Sequence, residues 1–197
     1  MALEERGTTM RIFFPAVLAA AVSFVLSSPA FAYQSTEKVE QITQLGDPQN
    51  QVDDQFGYSV AINGDLAVVG APQFTQGQSY TYLYAKEGNG WVKVAALTDG
   101  VGSDQFGWSV AVSESVVAVG TPHAGLGGTV FIFEKPQGGW KDMLPTAELS
   151  IAVSGDGFGD SLAISSDGSV IAAGAPPLGW GNPATRRILI VLRFLAS

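Results

Sequence analysis

The chain predicts an all-β fold assembled from repeated four-stranded antiparallel units, and three observations carry that prediction. One passage is written three times: DDQFGYSVAINGDLAVVGAP at Asp53–Pro72, SDQFGWSVAVSESVVAVGTP at Ser103–Pro122 and GDGFGDSLAISSDGSVIAAGAP at Gly155–Pro176. The Phe-Gly pairs begin at Phe56, Phe106 and Phe158, spacings of 50 and 52 residues, and a period near 50 residues built from short strands marks a propeller blade or a similar array. Within each copy large and small residues alternate with the period of a strand. Such a unit cannot bury its apolar faces alone and must stack on a neighbour. The predicted architecture is therefore a run of about three β-propeller blades, fewer than the roughly four to eight that close a ring.

The first strand of each unit sets Phe56, Tyr58, Val60 and Ile62 against Gly57, Ser59 and Ala61, with Phe106 and Phe158 opening the same pattern. One face is large and the other tiny, as suits a crowded inner position near a propeller axis. Asn63-Gly64 signals a tight turn. Leu66–Val69 and Val116–Val119 are continuous apolar runs, which predict strands buried on both faces. Prolines at 72 and 122 end these second strands, because proline cannot donate to a ladder. Tyr80–Tyr84 and Thr129–Phe133 read as third strands. Turns at 87–90 and 136–139 follow them, and Trp91 and Trp140 are expected to open fourth, outer strands.

The predicted organisation runs as follows. Residues 1–32 form a secretory leader, with Met10 the better start: Arg11 precedes the apolar Ile12–Leu26, and Ala30-Phe31-Ala32 supplies the cleavage site. Its apolar core is short for a membrane span, which needs about 20 residues. Residues 33–52 read as the outer strand of a preceding or closing blade. Repeat 1 is 53–102, repeat 2 is 103–154, and repeat 3, incomplete, is 155–183. The tail 184–197 is apolar and basic, without turn or alternation. It is either the third strand of the last blade, shifted in register, or a stretch out of frame, and the missing blades favour truncation.

Composition narrows the functions. The net charge of −8 argues against nucleic acid or an anionic membrane as partner. The chain has no cysteine, which excludes thiol catalysis and thiolate metal sites. No Asn-x-Ser/Thr sequon occurs at Asn50, Asn63, Asn89 or Asn182. His123 is the single histidine, with no serine elbow or paired acid near it in sequence. Ser59, Ser109 and Ser161 recur in every repeat, which is the behaviour of architecture rather than of a nucleophile. Tyr58 and Trp108 read as packing between blades rather than as an aromatic sugar platform. Asp160 breaks their pattern and suggests a blade without a proper neighbour. Asp54, Asp104 and Asp156, two residues before each Phe-Gly, are the candidate ligand contacts. Against that reading stands the usual task of an Asp in a turn, bonding its own backbone.

The paired motifs resemble the FG-GAP repeat, the blade of the integrin α-subunit propeller and of many secreted proteins. The motif residues are Phe56-Gly57 with Gly70-Ala71-Pro72, Phe106-Gly107 with Gly120-Thr121-Pro122, and Phe158-Gly159 with Gly174-Ala175-Pro176. The resemblance implies a seven-bladed propeller that displays loops for extracellular recognition. Many relatives carry a calcium loop between the two halves of the motif. The short hairpins here leave no room for the six or more oxygens calcium takes, so no calcium, other cofactor or catalytic set is expected. The expected function is a secreted, periplasmic or cell-surface binding or adhesion module, recognising an extracellular protein or glycan. The alternatives are a non-catalytic appendage of a larger secreted hydrolase and a non-functional fragment of a longer protein. Open blade faces are also expected to promote self-association.

Overall fold

In the computed structural model the described residues are 43–49, 53–75, 77–101, 104–150, 156–177 and 187–192. They lie in one compact unit, Thr43–Ser197. The expected leader and the start of the expected preceding strand fall outside them.

Among the described residues eleven strands form three separate sheets, each joined in chain order. The first sheet holds β1 (Ser59–Asn63), β2 (Leu66–Ala71), β3 (Tyr80–Glu87) and β4 (Gly90–Leu97). The second holds β5 (Ser109–Val112), β6 (Val116–Thr121), β7 (Thr129–Glu134) and β8 (Ala147–Ser150). The third holds β9 (Ser161–Ile164), β10 (Val170–Ala175) and β11 (Arg187–Leu192). All pairings within the sheets are antiparallel. The fold is thus all-β and built of propeller-type blades.

The sequence patterns explain these elements. Asn63 pairs with Leu66 across the turn, with Gly64 at φ 55°, the left-handed conformation that glycine adopts without penalty. β6 is buried along its whole length, as its unbroken Val-Val-Ala-Val run requires. In the tail, Arg187 pairs with Ala175 and Leu192 with Val170, so this stretch runs as the third strand of the last blade.

One expected strand start is corrected. The fourth strand of the second blade begins at Ala147, seven residues beyond Trp140. The intervening segment leaves its own sheet and lies along the outer edge of the first. Asp142 accepts a hydrogen bond from the Ala96 N–H at 2.7 Å, and Met143 donates to the Ala96 carbonyl at 3.3 Å. Leu97 and Met143 form an isolated parallel bridge. An unpaired strand edge is a liability, and this cross-blade strap covers part of one.

The blades stack face to face through apolar layers. Between the first and second lie Val68, Leu83 and Leu97 from one side and Phe106, Val110 and Phe133 from the other. Between the second and third, Ala118, Val130 and Ile132 meet Phe158, Ile171 and Ala173. The remaining face of the first blade carries Val69, Tyr82 and Tyr84, on which Phe56 and Leu45 pack. Phe56 and Phe106 therefore each sit on the third strand of their own blade. Phe106 lies 5.6 Å from Phe131 and 6.0 Å from Phe133, and Phe56 lies 5.8 Å from Tyr82.

Candidate functional site

The site is built at the end of the blades where the first strands begin and the second strands finish. There the Phe-Gly turns repeat one local geometry. Asp54 Oδ1 accepts from the Phe56 N–H at 3.2 Å, and Asp104 Oδ1 accepts from the Phe106 N–H at 3.3 Å. Gln55 and Gln105 stand at φ 48° and 63°, a region costly for a residue with a Cβ. Their carbonyls accept from the Tyr58 and Trp108 N–H groups. The turn so formed aims residue 58 or 108 away from the sheet stack.

The glycines of the motif join neighbouring blades. Ser59 Oγ of the first blade donates to the Gly107 carbonyl of the second at 2.7 Å, and Ser109 Oγ donates to the Gly159 carbonyl of the third at 2.5 Å. Each carbonyl lies over the glycine of the preceding Gly-Ala-Pro or Gly-Thr-Pro. A Cβ on Gly70 would come within 2.2 Å of the Gly107 oxygen, and one on Gly120 within 2.0 Å of the Gly159 oxygen. The repeated serines and glycines thus form a backbone latch. Gly128 serves the same crowding, since a Cβ there would meet the Phe158 carbonyl oxygen at 2.3 Å.

On top of this scaffold the residues two after each Phe form a line across the blades. Tyr58 lies 5.0 Å from Trp108 between ring centroids, and Phe74 lies 5.6 Å from Tyr58 and 5.9 Å from Trp108. His123 meets the Trp108 indole edge-on at 5.2 Å. The indole Nε1–H donates to Asp160 Oδ1 at 3.2 Å. Asp160 is therefore the acceptor that a partly buried indole N–H needs, and its neighbour is the preceding blade. Tyr58 and Phe74 are 44% and 41% exposed. Burial, and then the Asp160 charge, push the Tyr58 hydroxyl above its ordinary pKa, so it is a neutral donor at neutral pH.

The candidate aspartates are placed beside this line, not within it. Asp54 and Asp104 spend one oxygen on their turns. Asp156 is buried at 5% exposure, with Oδ2 unpartnered. Burial raises the Asp54 carboxyl, and Asp47 nearby adds to the shift. Asp99 and Asp104 form an equivalent pair one repeat later. Burial first, and then the Asp104 carboxyl, lift Asp99 to about 7. Among the described residues no group of three or more His, Cys, Asp or Glu side chains could hold a metal ion. At the opposite end of the blades a cleft is lined by Asp65, Glu114, Lys135 and Trp140.

Phe74 escaped the sequence reading, because it follows the Gly-Ala-Pro of one repeat where the next has Ala124. Its signal is faint: an aromatic two residues beyond Pro72, on the loop facing Tyr58. The grouping of Tyr58, Phe74, Trp108 and His123 depends on blades about 50 residues apart meeting in space.

The FG-GAP repeat family matches at residues 40–82 and 91–133. The first window ends in β3, and the second starts in β4, the outer strand of the first blade, and ends in β7, the third strand of the second. No curated protein matches the chain. Among solved structures, it is similar to "Structure of U3-55K" at 18% identity and a TM-score of 0.46, covering 68% of this chain and 42% of that one. It is also similar to "Crystal structure of RRP9 WD40 repeats" at 19% identity and a TM-score of 0.45, with the same coverages. The chain spans less than half the length of either. Among the described residues no helix is long and apolar enough to cross a membrane.

Proposed function

We propose that this chain, which matches the FG-GAP repeat family at residues 40–82 and 91–133, is an exported binding module, without catalysis of its own, that recognises an extracellular protein or glycan through the aromatic line at the loop end of its blades. The observation that carries this reading is the contact of half-exposed Tyr58 and Phe74 with Trp108 across two blades. Large aromatic rings held rigid by a scaffold supply contact area at little entropic cost, and they dominate binding energy at many interfaces. Tyr58 adds a hydroxyl donor, Asp160 a carboxylate and His123 a ring edge at the far end. Together they offer stacking faces flanked by polar groups, the composition that sugar rings and protein side chains both use. Export rests on the apolar run and small-residue cleavage site before Tyr33.

The test is to probe the purified chain against a glycan array and a panel of extracellular matrix proteins, following Trp108 fluorescence in titrations of whatever binds. Y58A and F74A are expected to weaken binding about tenfold or more each. Binding undiminished in both variants would place recognition elsewhere.

A further inference from the structure

The cleft at the end of the blades opposite the aromatic line has no part in the reading above. It lies between the first two blades and encloses about 370 Å³, a volume within the range of small-molecule sites. Turns and the strap wall it. Asn63 ends β1, and Asp65 stands in the turn after it, where its carbonyl accepts from the Lys86 N–H at 2.9 Å. Glu114 stands in the turn between β5 and β6, fixed by the buried Ser113 hydroxyl, which accepts from the Val116 N–H at 3.0 Å. Lys135 follows β7, and its N–H donates to the Ser115 carbonyl at 2.8 Å. Trp140 begins the strap that Asp142 holds on β4. The walls are thus tied to strands, and the cleft is formed before any ligand arrives.

Trp140 packs against the core between the blades. Its indole N–H is shielded and without a partner among the described residues, so the ring turns carbon to the cleft. Leu66 and Ala85, paired across β2 and β3, add apolar surface. Around that surface stand the carboxylates of Asp65 and Glu114, the Lys135 ammonium and the Asn63 amide. The three charged side chains are exposed. A cation entering the cleft would be opposed by Lys135. An anion would be opposed by Asp65 and Glu114, in a chain of net charge −8. A hydroxyl both donates and accepts, so a neutral ring bearing several of them uses every polar group present, with its C–H face on the indole. We infer that this cleft is a binding site for a neutral saccharide, held with its hydroxyls on Asn63, Asp65, Glu114 and Lys135. The inference goes beyond the aromatic line and stands without it, because the two lie at opposite ends of the blades.

Amide and indole N–H NMR spectra of the purified chain test it, in titrations with methyl glucoside, methyl mannoside, methyl N-acetylglucosaminide, maltose and cellobiose. Tetramethylammonium and acetate serve as the competing cation and anion. Saturable shifts at Asn63, Gly64, Asp65, Glu114 and the Trp140 indole are expected with at least one of the sugars. Glu114→Ala and Lys135→Ala, both at exposed positions, are expected to weaken that binding about tenfold each while the rest of the spectrum stays in place. Shifts confined to the Tyr58 and Trp108 signals overturn the inference and leave recognition with the aromatic line. Sugar binding indifferent to both variants overturns it, as does the absence of a saturable shift with every sugar. So does saturable binding of tetramethylammonium or acetate in a cleft that the sugars leave unmoved.

Discussion

At the residue scale, glycine is the residue on which the stacking turns, and its cost can be predicted from what lies opposite. Gly120→Ala drives a methyl into a backbone carbonyl that cannot move aside, and the expected loss is about 2–4 kcal/mol by denaturant unfolding. Gly174→Ala meets only a serine hydroxyl free to rotate, and Gly138→Ala meets nothing within 4 Å. Both are expected within about 1 kcal/mol of the parent, and equal losses at all three positions would refute the latch as the cause. Asp99 gives a second prediction. Its folded pKa of about 7 lies above the ordinary 3.8, so the folded state holds the proton more tightly than the unfolded chain. Stability attributable to this group therefore falls as pH rises from about 4 to about 7, then levels off. Asp99→Asn keeps the acceptor for the Val101 N–H and should flatten that part of the melting-temperature profile. A variant whose profile parallels the parent would show that Asp99 ionises normally.

At the element scale, the hairpins were legible because their information is local. Alternation in β1, the Asn-Gly turn and the continuous apolar run of β6 each specify a strand within a dozen residues. The start of β8 was not legible. Trp140 follows a turn placed like that before Trp91, but Asp142 and Met143 find their partners on β4, a non-local bond that no periodicity announces. The motif aspartates at 54 and 104 could be read as turn residues, whereas the gathering of Phe74 and His123 around Trp108 could not, since it requires the stacking. The strap yields its own prediction. Asp142→Ala removes the acceptor of the Ala96 N–H and should cost about 1 kcal/mol, with faster amide exchange at Ala96. An unchanged exchange rate there would mean that the strap does not protect the edge.

At the scale of the whole molecule, stability in a stacked array is the sum of each unit and its contacts with neighbours. The middle blade is covered on both faces, by Val68 and Leu83 of the first on one and Phe158 and Ile171 of the third on the other. Amide exchange should therefore be slowest in β5, β6 and β7, and faster in β1 and β9, each of which has one uncovered side. Uniform protection across the three sheets would contradict a nearest-neighbour account.

The latch has a consequence for how such arrays change over time. It joins a serine hydroxyl to a main-chain carbonyl over a bare Cα, and none of these groups varies from one blade to the next. The latch itself therefore carries no address, and the junctions differ only in the apolar layers beneath it. Units can be gained, lost or exchanged by recombination without a new latch having to evolve. Individuality shows beside the latch too, at the position where one copy has tyrosine, the next tryptophan and the third aspartate.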